Sequence, residues 1–70
     1  MHTGLENSQH DLLELLIDDV GLATVVEALA VICVEKADHI RTSYNDQPLS
    51  QRWQRYATAL SGTAALIRKP

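Results

Sequence analysis

Three features of the 70-residue chain predict an all-α fold, an antiparallel hairpin of two long helices preceded by a short one. Apolar residues recur at steps of three and four along most of its length, the period of a helix with one buried face. Asn45, Asp46 and Pro48 cut this pattern once, with the residue types that end one helix and start the next. Gly21 cuts it a second time, after a shorter amphipathic run.

The elements follow in order. Residues 1 to 7 lack periodicity and read as a flexible tail. Ser8 can cap a first helix over about residues 9 to 19, with Asp11 and Glu14 suited to its positive end. Leu12, Leu13, Leu15, Leu16, Ile17 and Val20 give it a wide apolar stripe, opposed by Asp11, Glu14, Asp18 and Asp19. Gly21 serves as its terminator or as the cap of the next helix. The second helix, about residues 22 to 43, carries Leu22, Val25, Val26, Leu29, Ile32, Cys33, Ala37, Ile40 and Tyr44 at helical spacing. Its β-branched centre is compatible with a strand, but the pattern continues through Glu35 to Ile40 without a turn signal, which favours a helix. Asp46 can cap the third helix, about residues 47 to 67, and its first turn accepts Pro48 because that position needs no amide hydrogen. Leu49, Trp53, Tyr56, Leu60, Thr63 or Ala64, and Ile67 form its stripe; Ser61 and Gly62 mark a place for a bend or a frayed last turn.

Association is the next expectation. Ala28 to Val34 is an unbroken apolar run of seven residues, so its side chains point all round the axis, and Val31 and Val34 lie off the stripe that meets helix 3. A chain of 7.8 kDa has little material to cover them and cannot form an internal disulfide, since Cys33 is its only cysteine. The sequence therefore predicts a homodimer or higher homo-oligomer, with Val26, Leu29, Val31, Val34, Trp53, Tyr56 and Leu60 at the interface. The competing arrangement is a monomeric three-helix bundle in which helix 1 folds over Val31 and Val34.

Composition narrows the function. Apolar residues at 46% and charged residues at 21% match a folded globular chain. A seven-residue apolar run is far short of the roughly twenty needed to span a bilayer, and the polar first ten residues do not resemble a secretory signal. A single cysteine among Val31, Ile32 and Val34 reads as a buried hydrophobe and suits a reducing, cytoplasmic setting. The net charge of −3 divides into −7 over residues 1 to 47 and +4 over residues 48 to 70. Such halves complement each other within a fold or between subunits. Four dispersed cations and one Trp are a poor footprint for nucleic acid.

Candidate chemistry is sparse. Glu35 and His39 share a helix face but supply two metal ligands only, and not at the Glu-x-x-His spacing of di-iron bundles. Cys33 and His39 are about 9 Å apart along a helix axis, too far for a nucleophile and its base. Ser50 is the other residue that nucleophilic catalysis could recruit, and Asp18 with Asp19 read as helix-end residues. No catalytic residue, metal site or cofactor is expected. Arg52 and Arg55 beside Trp53 and Tyr56 form the one cluster that suits a heterologous protein partner.

The run GLATVVEALAVICVEKADHI and the later segment SQRWQRYATAL resemble a group of short, uncharacterised bacterial all-helical proteins, over about residues 12 to 65. That resemblance implies a bacterial cytoplasmic protein of unknown role and transfers no site. The sequence points to a non-catalytic, self-associating interaction module, such as a small regulatory or scaffolding subunit. The alternatives are a bundle that binds a small molecule or metal between helices 2 and 3, and a weak nucleic-acid binder using the basic C-terminal segment.

Overall fold

The computed structural model describes residues 3–69, and these are helical with no strand. Helix α1 spans Asn7–Val20, α2 Leu22–His39 and α3 Gln47–Arg68, and a π-helical turn, Ile40–Tyr44, extends α2. The β-branched centre of α2 is helical, because the i to i+4 ladder runs through residues that also have a small-residue face to pack.

Helix α1 begins earlier than Ser8 would set it. Glu6 holds the cap position, and its amide donates to Gln9 Oε1 at 2.9 Å, which satisfies an amide just outside the helix. Gly21 alone joins α1 to α2; its φ of 91° and ψ of 152° lie where only glycine is comfortable. Its amide closes α1 onto the Ile17 carbonyl, and its carbonyl receives the Val25 amide of α2.

The other end of α2 departs from the expected regular helix. After His39 it widens to π geometry. In an α-helix, residues five apart lie about 140° apart around the axis. The wider turn instead brings His39 and Tyr44 together, edge to face at 5.7 Å, with Ser43 Oγ 3.4 Å from His39 Nδ1. Asn45 then takes the left-handed conformation, φ 51°, and turns the chain. Asp46 accepts the Leu49 amide at 3.1 Å, capping α3 with Pro48 in its first turn. From there α3 runs uninterrupted to Arg68, past Ser61 and Gly62, where the sequence suggested a bend or fraying.

Apart from Val25, buried near the start of α2, the core is the antiparallel contact of α2 with α3, and its residues are small. Ala30, Cys33 and Ala37 on α2 meet Ser50, Ala57 and Ala64 on α3, all buried. Ala23, Ala30 and Ala37 repeat every seven residues, as do Ser50, Ala57 and Ala64, so each row stays on one side of its helix. Small side chains let the backbones approach, and Ser50 Oγ donates across the contact to the Ala37 carbonyl at 2.8 Å. Glu27 and Arg68 pair at the far end of the hairpin. These rows correct the expected stripes in part: Val25, Cys33, Ala37 and Ala64 are buried as the spacing predicts, but Leu29, Ile32, Tyr56 and Ile67 stay exposed because alanine occupies the line of closest approach.

Candidate functional site

The large side chains left over by this core define the site. With about 100° between successive helical residues, Leu29 and Ile32 fall to one side of the Ala30–Ala37 row, and Val31 and Val34 to the other. On α3, Trp53, Tyr56 and Leu60 fall on the same side as Ile32. A groove of about 330 Å³ lined by Ile32, Lys36, His39, Ile40 and Trp53, with Glu35 at its edge, runs along this flank. The opposite flank joins Val34 to Gln54, Thr58 and Ser61, and is the more polar of the two.

The expected interface residues are thus divided. Leu29 (43% exposed) and Tyr56 (45%) stand on the first flank with the half-buried Trp53 and Leu60. Val31 and Val34 stand on the second, at 53% and 52% exposure. Val26 is half-buried between the two on the α3-facing side of α2. Helix α1 does not cover Val31 and Val34, so the fold is not the compact three-helix bundle that the sequence left open. Ile32, at 46% exposure, belongs to the first flank although its spacing had assigned it to the intramolecular stripe. Its offset from the seven-residue alanine row is the signal that identifies it.

Electrostatics mark the same flank. Lys36 Nζ sits 5.5 Å from the Trp53 ring centroid, and Trp53 meets Tyr56 edge to face at 5.3 Å. The aromatic pair is therefore held in a fixed orientation beside the groove. Arg52 and Arg55 are exposed and make no ion pair among the described residues, and Arg55 lies with Gln51, Gln54 and Thr58 on the other side of α3. The Glu35–His39 pairing does not form: His39 turns toward Ser43 and Tyr44, while Asp38 pairs with Arg41. Cys33 is buried in the α2–α3 contact, and Asp18 and Asp19 are exposed at the end of α1. His10, Asp11 and Glu14 lie close together on α1, all exposed. Ser50, whose hydroxyl is spent on the Ala37 carbonyl, is a packing residue.

The molecule as a whole is open. Its accessible surface is 5569 Å², whereas a compact monomer of 7.8 kDa exposes about 4,400 Å². Its radius of gyration is 14.1 Å, against about 11 Å for a compact domain of this length. Among the described residues no helix is long and apolar enough to cross a membrane. No family model, curated protein or solved structure matches the chain.

Proposed function

We infer that this protein is a non-catalytic, self-associating helical module that acts through protein contacts, and that a second copy covers the flank of Leu29, Ile32, Trp53, Tyr56 and Leu60. The surplus of surface carries this reading. It amounts to roughly 1,200 Å² beyond a compact monomer, more than the ~800 Å² each partner contributes to a standard stable interface. The exposed side chains on that flank are large and apolar, and burying each one fully is worth about 1.5–3 kcal/mol. Two hairpins joined there form a four-helix core of the kind short chains need. A role as a small regulatory or scaffolding subunit in a reducing compartment fits such a module.

Sedimentation at micromolar concentration tests the reading, with the expected mass twice 7.8 kDa. Leu29→Glu with Ile32→Glu changes exposed residues only and should yield a folded species of single mass. Val31→Glu with Val34→Glu, on the other flank, should leave the mass doubled. A native particle of 7.8 kDa overturns the reading. The groove beside Trp53 supports the second reading, a small-molecule site. A thermal-shift screen with metals and metabolites tests it: a ligand that raises the midpoint and is blocked by Trp53→Ala would favour that reading.

A further inference from the structure

The geometry points to α1 as an exchanged arm, the acidic helix of one copy docking on the basic face of α3 in the other, an inference that rests on the self-association proposed above. Helix α1 has 14 residues and buries none of them. Helices of that length are marginal in water without tertiary support. Yet α1 touches only α2 among the described helices, and Leu12, Leu15 and Leu16 remain 68%, 65% and 47% exposed. Its packing is incomplete in its own chain.

Charge identifies the missing surface. Helix α1 carries Asp11, Glu14, Asp18 and Asp19 and no Lys or Arg, whereas α3 carries Arg52, Arg55 and Arg68 and no acid. Among the described residues, Arg68 alone of these arginines is paired, with Glu27 of α2. The two helices complement each other but do not meet within one molecule. Asp18 and Asp19 sharpen the argument, because they occupy the last turn of α1, where the helix dipole disfavours negative charge. A local choice that opposes the local field indicates a cation supplied from elsewhere. Arg52 borders the apolar flank at Tyr56, so a helix with leucines beside its acids satisfies both at once.

The linker is suited to exchange. One residue, Gly21, connects α1 to α2, and short hinges are where copies trade elements. A two-fold dimer makes the contact twice, each copy giving its α1 and receiving the other's.

Charge reversal in the 70-residue chain tests the exchange. Asp18→Lys with Asp19→Lys gives a copy whose α1 repels α3, although the new residues suit the helix end and protect its helicity. Arg52→Glu with Arg55→Glu gives a copy whose α3 repels α1. Each variant alone should associate at least tenfold more weakly than the native chain, by sedimentation at several concentrations. Their equimolar mixture should recover a mixed dimer of near-native affinity, because the lysines of one copy then meet the glutamates of the other. Circular dichroism confirms that both remain helical. Native affinity for both variants alone would overturn the exchange while leaving self-association intact. Weak association without recovery on mixing would show that the two charge sets do not face each other across the dimer and would also overturn the exchange. A native protein that is monomeric at the outset would remove the underlying dimer as well.

Discussion

Gly21 and Gly62 show how one residue type plays opposite parts in a small helical protein. Neither would bring an added Cβ within 4 Å of a neighbour, so backbone conformation decides what substitution does. At Gly21, φ is 91° with extended ψ, a region essentially reserved for glycine. Gly21→Ala should destabilise the fold by about 1–3 kcal/mol, or twist the hinge. Gly62 lies inside α3, where alanine is preferred by about 1 kcal/mol, so Gly62→Ala should stabilise. Thermal midpoints measured at one fixed protein concentration check both signs, with about 4–8 °C expected per kcal/mol for a chain of this size. Gly21 was legible from sequence as a boundary. That α3 passes through Ser61 and Gly62 unbroken was not, because the tertiary contact of Ala57 and Ala64 holds the helix on both sides of the weak point.

At the level of elements, the α2–α3 contact depends on small side chains more than on large ones. Ala37, Ala57 and Ala64 are 0%, 5% and 2% exposed, and Ser50 is 2% exposed. Ala57→Leu adds volume on the line of closest approach and should cost about 1–3 kcal/mol through overpacking. A lowered denaturation midpoint in urea with an unchanged slope is the expected readout. The same change at Ala59, which points away from α2, should have little effect. Existence and type of the helices were readable from apolar spacing, and the start of α3 from Asp46 and Pro48. The facing surface was legible in part: Val25, Cys33, Ala37 and Ala64 of the expected stripes are buried, whereas Leu29, Ile32, Tyr56 and Ile67 are not, because large side chains do not mark the line of closest approach. The seven-residue rows of alanine and serine were present in the sequence, but small residues carry little weight in a hydrophobicity pattern. The π-helical turn left no clear signal either, since Ile40 to Tyr44 is compatible with an ordinary helix.

For the whole molecule, shape is the informative quantity. A chain that exposes about 1,200 Å² more than a compact monomer of its mass gains stability from whatever covers that surface. If the occupant is a second copy, folding and association are linked, and the thermal midpoint should climb as protein concentration rises from about 1 to 100 µM. A midpoint independent of concentration across that range would show that the hairpin stands alone. Leu29→Glu with Ile32→Glu should remove the dependence, since those side chains lie outside the α2–α3 core.

The sequence by itself determined the helical class, the break at Asn45 to Pro48 and the excess of apolar residues over what one short chain can cover, because each follows from local spacing, turn chemistry and composition. Only the tertiary structure decided which side of each helix meets its neighbour. Close approach is governed by where side chains are smallest, and that depends on two helices at once. The same contact divided the expected interface residues between two flanks and left α1 with its apolar stripe largely uncovered.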